Sequence, residues 1–411
     1  MAAIEQDSIA APQAQLGPVR PLDRIFTLDL VRGLAVLGIL AVNAITFAQP
    51  LPVIMNPSLQ TGFEGEAVSA WQVMHVFFQD KMRTLFSMLF GASIFLIGGE
   101  RSDKARGKLL RRRLFWLALF GLLHGLAFWF GDILLLYAWT GLFVMLARSW
   151  RARTLIITGV VLNVICSALY VGLMMSLSFA PPGTMDQVMA DMGYNASPEQ
   201  IAGMIAAMQG DALSVTGQVV MNWLQSVPFM LIFMMPATAA LMMIGMGLYK
   251  TGFFSGRAPV AVYGALIVLG AGALYLIWRE SEAIIASGFD FMTLMPRPAI
   301  TFLAPLASLA YASALILLVK FGLRFILTPL ASVGRMAFTN YLSQTLIMTT
   351  IFYGGRGLGL FGQVAWPELW LYVIGIWIVQ LIWSPLWLSR FSMGPLEWLW
   401  RRLTYGRALK A

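Results

Sequence analysis

The sequence predicts an all-α protein, a polytopic membrane bundle of about ten transmembrane helices with both termini in the cytoplasm. Three observations support this fold class. The 411 residues are 59% hydrophobic and only 11% charged, whereas a soluble chain is about a quarter charged. Apolar runs of roughly 20 residues, the length that crosses a bilayer, recur along the chain. Lys and Arg residues are concentrated in alternate connecting segments.

The apolar runs predict the individual spans. They cover residues 26–48, 79–99, 109–130, 132–147, 153–178, 219–249, 258–278, 299–320, 335–353 and 368–388. The fourth run is short for a bilayer crossing. The sixth is long enough to be tilted, or kinked at Pro228 or Pro236.

The basic residues predict the orientation. With the N-terminus in the cytoplasm, the inner segments hold 22 of the 28 Lys and Arg residues. The outer segments hold Arg279, Arg297 and Arg356, and the remaining three lie in spans. This asymmetry predicts a multi-pass protein of the cytoplasmic (inner) membrane. It also explains the net charge of +9 without a nucleic-acid-binding domain.

The spans divide the chain into three parts. Residues 1–20 are expected to form a flexible cytoplasmic tail, residues 21–389 the bundle, and residues 390–411 a cytoplasmic interfacial segment. Two outer loops, 49–78 and 179–218, contain no Lys or Arg. In the second loop, Ser197 and Pro198 have the positions of a helix cap and first helical residue, which predicts an amphipathic helix on the outer surface. The single cysteine, Cys166, excludes a disulfide framework, and no metal site is expected.

One histidine is a candidate for catalysis. His124 lies seven residues before the break at Gly131 and Asp132 between the third and fourth spans. His124, Asp132 and Trp129 are therefore expected to border one cavity in the outer half of the bundle. An imidazole beside a carboxylate can act as a general base. The alternative is a histidine that only bonds a neighbouring helix.

Other polar residues at the ends of spans are candidates for a substrate cavity. His75 precedes the second span and is expected at or above the outer surface. Lys81 and Arg83 either extend outward or line a polar cavity. Asn340 and Gln344 share one face of the ninth span, where they either join helices by hydrogen bonds or line a cavity.

At the inner ends, Asp29 and Arg32 are one helical turn apart and can form an ion pair. Such a pair either stabilises the end of the span or binds an anionic group. The run of Arg111, Arg112 and Arg113 lies close by and is a second candidate for anion binding.

Four stretches of the chain resemble the YeiB-like family of bacterial membrane proteins (domain of unknown function 418). They are LDLVRGLAVLGILAVN, TLFSMLFGAS, LLHGLAFWFGDILLLYAWTGL and the tail from GRMAFTNYLSQTLI to GPLEWLWRRLTYG. The first span is also similar to that of transmembrane acyltransferases of the acyltransferase-three and heparan glucosaminide acetyltransferase types. Those enzymes transfer acyl groups from cytoplasmic acyl-CoA to acceptors on the other side of the membrane.

This resemblance implies a transmembrane acyltransferase in the bacterial inner membrane. Asp29 and Arg32 would lie near the path of acyl-CoA, the expected co-substrate, with no covalently bound cofactor. Acyltransferase-three proteins have a catalytic histidine where this chain has Asn43, so the base would be His124, oriented by Asp132, and Asn43 would position the acyl carbonyl. The expected partners are lipids, acyl-CoA and a periplasmic or lipid-linked acceptor, with a homodimer as an option. A transporter or channel for a small or amphiphilic solute, and a non-catalytic protein on the same scaffold, are the alternatives.

Overall fold

The computed structural model describes residues 25–406, and it is helical throughout. The predicted N-terminal tail and the last residues of the interfacial segment lie outside this range. Within it there are no β-strands. The helices are α1 Phe26–Ala48, α2 Leu51–Met55, α3 Glu66–Phe77, α4 Lys81–Gly98, α5 Lys104–Ala127, α6 Leu134–Val144, α7 Ala152–Ser176, α8 Thr184–Asp191, α9 Pro198–Gln209, α10 Ala212–Phe229, α11 Met235–Lys250, α12 Val260–Ala286, α13 Phe291–Leu294, α14 Pro298–Lys320, α15 Arg324–Arg335, α16 Ala337–Phe352, α17 Trp366–Arg390 and α18 Pro395–Tyr405.

The all-α membrane fold class is confirmed. Each predicted span coincides with one or two helices, and seven helical stretches among residues 25–406 are long and apolar enough to cross a membrane. The span of residues 132–147 is shorter, as expected. Ten crossings and cytoplasmic termini remain predictions. Large apolar side chains such as Leu169, Val268 and Leu371 are exposed on the helix surfaces, where a multi-pass protein contacts lipid.

Helix α1 lies at the centre of the bundle. In the most apolar 18-residue stretch of α1, 72% of the residues are buried, compared with 22% in the corresponding stretches that include α7 and α12. It packs against α4, α14, α15, α16 and α17. The closest approach is to α15, where Gly33 and Gly334 face each other and a Cβ atom on Gly334 would lie 1.8 Å from the Asp29 carbonyl oxygen. Glycine is therefore required for this contact.

Two segments predicted to be loops contain helices. Residues 66–77, placed in an outer loop, form α3, and residues 324–335, placed in an inner loop, form α15. The predicted amphipathic helix is present as α9, with Ser197 as its cap and Gln200 completing a capping box. In the long sixth span, the helix changes to a π-helical turn at Met230–Met234, between Pro228 and Pro236.

Candidate functional site

Two cavities lie at opposite ends of the central helix. The first, here called the basic cavity, has a volume of about 290 Å³ and is lined by four arginines contributed by four helices. They are Arg32, Arg113, Arg335 and Arg401. The second, the polar cavity, has a volume of about 450 Å³ and lies at the C-terminal end of α1. Ile39 and Ile133 line both cavities, so the two spaces meet at these side chains.

The entrance of the basic cavity is strongly positive. Arg32 Nη1 donates to Asp29 Oδ1 at 2.7 Å, the pairing that their spacing predicts. The guanidinium of Arg113 stacks on Trp400, 3.6 Å from the ring centroid. Glu397 is the second carboxylate in the lining. Four arginines therefore face two carboxylates.

Glu397 is used to position helices. Its carboxylate accepts hydrogen bonds from the Phe338 and Thr339 backbone N–H groups and from the Thr339 hydroxyl, at the beginning of α16. Burial raises the pKa of the Glu397 carboxyl, and these hydrogen bonds oppose the rise. The contact attaches the amphipathic helix α18 to the bundle, beside the arginines.

The interior of the basic cavity is apolar. Its walls include Val36, Phe90 and Leu117, and it extends to Tyr137 and Tyr341 near the middle of the bundle. A cationic entrance followed by an apolar slot suits an amphiphile with an anionic head and an acyl chain.

The predicted arginine run contributes one residue to this site. Arg113 lines the basic cavity, whereas Arg111 and Arg112 are exposed and do not line it. Consecutive residues of a helix point in different directions, so a run of three cannot share one face. Arg335 and Arg401, two of the basic residues of the inner segments that predict the orientation, line the cavity instead of Arg111 and Arg112.

Asp132, in the wall of the polar cavity, lies in contact with His124. Asp132 Oδ1 is 2.8 Å from His124 Nδ1, and its Oδ2 accepts from the Leu135 backbone N–H at 2.9 Å. His124 is 3% exposed, and its Nε2 is 3.0 Å from the Thr345 hydroxyl. In the tautomer protonated at Nδ1, His124 donates to the Asp132 carboxylate and accepts from the Thr345 hydroxyl at Nε2.

The geometry of this pair differs from the sequence expectation. Asp132 and Trp129 line the polar cavity, but His124 is absent from the lining of both cavities because it lies behind Asp132, against α16. Asp132 belongs to the cavity wall, with its side chain fully buried and its carboxylate bonded to the imidazole. Trp129 stacks on Phe47 with ring centroids 4.3 Å apart and forms part of the wall.

Asn43 and Arg83 also line the polar cavity, as does Asp80, which forms an ion pair with Arg83 at 3.1 Å. The Asn43 side-chain amide has no hydrogen-bond partner within residues 25–406, so it is available to a ligand. Arg297, assigned by the sequence analysis to an outer loop, belongs to the same lining.

His75 and Lys81 are placed differently from the sequence expectation. His75 was expected at the outer surface, but it is fully buried, stacks on Trp71 and lies 2.9 Å from Gln79 through Nδ1. Lys81 is also fully buried and donates to the His75 carbonyl oxygen at 2.9 Å. Neither residue lines the basic or the polar cavity, and α3, which carries His75, packs against α12 and α17.

Asn340 and Gln344 join helices and line neither cavity. The Asn340 amide donates to Ser384 at 3.1 Å and accepts from the Trp383 indole at 2.9 Å. Gln344 donates to Gln380 at 2.9 Å. These contacts connect α16 to α17, as expected if this polar face joins helices by hydrogen bonds.

Replacing Asn340 with Ala is expected to lower the free energy of unfolding by about 2 kcal/mol, because the buried partners lose their hydrogen bonds. Thermal unfolding of the purified protein in detergent checks this. The matched control is Asn163→Ala in the polar cavity, for which we expect a shift of less than about 1 kcal/mol. Equal losses in both variants would contradict the packing role of Asn340.

Comparisons with known proteins identify a family. The profile described as "Protein of unknown function (DUF418)" matches residues 248–407. The chain is 32% identical to "Uncharacterized protein YeiB" of Escherichia coli (strain K12), covering 93% of this chain and 97% of the relative. It is also 32% identical to "Uncharacterized protein YxaH" of Bacillus subtilis (strain 168), covering 95% and 97%. No solved structure matches. The chain belongs to the YeiB-like (DUF418) family of membrane proteins.

Proposed function

We propose that the protein is a multi-pass enzyme of the bacterial inner membrane that transfers an acyl group from cytoplasmic acyl-CoA to a periplasmic or lipid-linked acceptor. The observation that carries the proposal is one face of α1. Arg32 and Val36 line the basic cavity, Ile39 lines both cavities, and Asn43 and Thr46 line the polar cavity. Arg32 and Asn43 are about 16 Å apart along the helix. A donor and an acceptor can therefore approach each other from opposite ends.

The basic cavity suits the donor. The phosphates of CoA would bind the arginines at the entrance, because guanidinium groups form bidentate charge-assisted hydrogen bonds with phosphate. The acyl chain would occupy the apolar interior. The thioester would then lie near Ile39 and Ile133, at the boundary between the two cavities.

The polar cavity supplies the groups for transfer. The acceptor oxygen or nitrogen forms a bond to the acyl carbonyl carbon while its proton passes to the Asp132 carboxylate. The carbon–sulfur bond then breaks, and CoA leaves as a thiol after taking up that proton. The Asn43 amide would donate a hydrogen bond to the carbonyl oxygen as negative charge develops there. His124 acts as a positioning residue that holds Asp132.

The test is CoA release from acetyl-CoA and palmitoyl-CoA by the purified protein in nanodiscs, measured by mass spectrometry. Arg32→Gln is expected to raise KM for acyl-CoA about tenfold, because one charge-assisted contact is lost. Arg279→Gln is the control, since Arg279 is exposed, lines neither cavity and forms an ion pair with its neighbour Glu282. The absence of both CoA release and saturable acyl-CoA binding would overturn the proposal. Uptake of a solute into liposomes without acyl-CoA would support the transporter alternative instead.

A further inference from the structure

The polar cavity contains a charged cluster that acyl transfer does not require. It consists of Asp80 and Arg83 at the beginning of α4 and Arg297 at the beginning of α14. Asp132 is separate from it, because both its oxygens are engaged by His124 and Leu135. Within the cavity lining the cluster carries two positive charges and one negative charge. The Glu280 carboxylate interacts with Arg297 from outside the lining and accepts from the Ala299 and Ile300 backbone N–H groups.

The carboxylate of Asp80 does not provide hydrogen-bond partners for all the guanidinium nitrogens of Arg83 and Arg297. It accepts from Arg83 Nη2 at 3.1 Å, but Arg83 Nη1 and Arg297 Nε are buried and have no hydrogen-bond partner in the described part of the chain. Tyr170, Asp80 and Glu280 lie near enough to Arg297 to interact with it electrostatically, and Tyr170 also forms a side-chain hydrogen bond with it. Buried guanidinium nitrogens without a partner are unfavourable, and a missing ligand is an ordinary explanation for them.

The backbone at this cluster is an independent observation. Three residues other than glycine have positive φ between residues 25 and 406, and two of them are Asp80, with φ 61°, and Arg297, with φ 39°. Such conformations are unfavourable for residues with a side chain and are concentrated at binding sites. Here they bring two oppositely charged residues from different helices into the wall of one cavity.

We propose that Arg83 and Arg297 bind an oxyanion group, phosphate or carboxylate, that the ligand of the polar cavity carries. This inference rests on the proposed function in one respect, that this ligand is the acyl acceptor. The acceptor would then be an anionic molecule with a nucleophilic hydroxyl or amine. Its anionic group sits at the arginines, and its nucleophile faces Asp132 and Asn43. A phospholipid headgroup and a soluble phosphate ester share this chemistry.

Binding is measured without acyl-CoA, so its outcome does not depend on catalysis. The probe is glycerol 3-phosphate, titrated into the detergent-solubilised protein by calorimetry at fixed ionic strength, with glycerol as the neutral comparison. We expect saturable binding of the phosphate and none of glycerol. Arg83→Gln and Arg297→Gln should each weaken binding about tenfold or more, since a charge-assisted hydrogen bond is lost. Arg279→Gln should leave it unchanged.

Two further measurements show whether the anion belongs to a lipid headgroup or to a soluble ester. In nanodiscs, a higher unfolding temperature with phosphatidylglycerol than with phosphatidylcholine, lost in Arg83→Gln, identifies a lipid headgroup as the source. Binding of glycerol 3-phosphate alone identifies a soluble ester. If Arg83→Gln does not fold, Arg83→Lys, which retains the charge, replaces it with a smaller expected loss. Failure of the wild type to bind the phosphate, or binding that survives Arg83→Gln with Arg297→Gln but is lost in Arg32→Gln, would overturn the proposal.

Discussion

Asp132→Asn is expected to lower the rate of acyl transfer by about 100-fold or more, because an amide cannot accept the proton of the acceptor. The amide is nearly the same size as the carboxylate and still accepts a hydrogen bond from Leu135. The fold should therefore be kept. The measurement is single-turnover CoA release with saturating acyl-CoA, in which binding and chemistry are separated. Asp186→Asn, on the exposed part of α8, is the matched control.

The same experiment assigns the roles of Asp132 and His124. His124→Gln removes the imidazole but leaves a side chain able to donate to Asp132, so we expect a smaller loss and a shifted pH profile. This shift distinguishes a positioning residue from a merely structural one. A complete loss of activity in His124→Gln, together with an active Asp132→Asn, would show that the imidazole is the base. His124 would then be the general base, as the sequence predicts, and Asp132 would orient it.

Gly334→Ala is expected to prevent the close contact between α1 and α15 and to cost about 3 kcal/mol of folding free energy. The new Cβ atom would lie 1.8 Å from the Asp29 carbonyl oxygen, and backbone atoms cannot move aside as a side chain can. Gly33→Ala should behave alike, because its Cβ would lie 2.0 Å from the Leu330 carbonyl oxygen. Thermal unfolding in detergent and the yield of folded protein are the measurements.

Gly172→Ala is the control for this contact. Gly172 lies in α7 with no atom within 4 Å of the added Cβ. Alanine there should be neutral or stabilising by up to about 1 kcal/mol, because alanine favours helix more than glycine does. Unfolding temperatures of Gly334→Ala and Gly33→Ala equal to that of Gly172→Ala would contradict the packing described here. The contact also explains why the residue after Arg32 is a glycine. Gly33 allows α15 to approach α1 closely, and α15 then places Arg335 in the lining of the basic cavity together with Arg32.

Much of the fold could be predicted from the sequence because long apolar runs have few alternatives to helix in a bilayer. The ten predicted spans all overlap helices of the structure. Helices α3 and α15 were missed for a physical reason. Each is about 12 residues long and mixes polar and apolar side chains, so a span-length hydropathy window does not detect it.

The candidate site was less predictable, because it depends on which side chains meet across helices. The spacing of His124 and Asp132 along the chain indicated that they are near each other. It could not indicate that Thr345, more than 200 residues later, would engage the other imidazole nitrogen. Arg297 and Arg401 appeared in the sequence as ordinary charges between spans. Their place in the two cavities follows from the folding of loops and an interfacial helix back onto the bundle.

The meeting of the two cavities at Ile39 and Ile133 has an electrical consequence. Each cavity is large enough for several water molecules, which occupy about 30 Å³ each in the liquid. Where water enters from both ends, the insulating part of the protein is reduced to this one layer of side chains. The membrane potential, worth about 2.3 kcal/mol per elementary charge at 100 mV, then falls across that layer instead of across the full ~30 Å of hydrocarbon. Because Asp132 adjoins Ile133, we expect proton transfer at its carboxylate to depend on the voltage across the membrane.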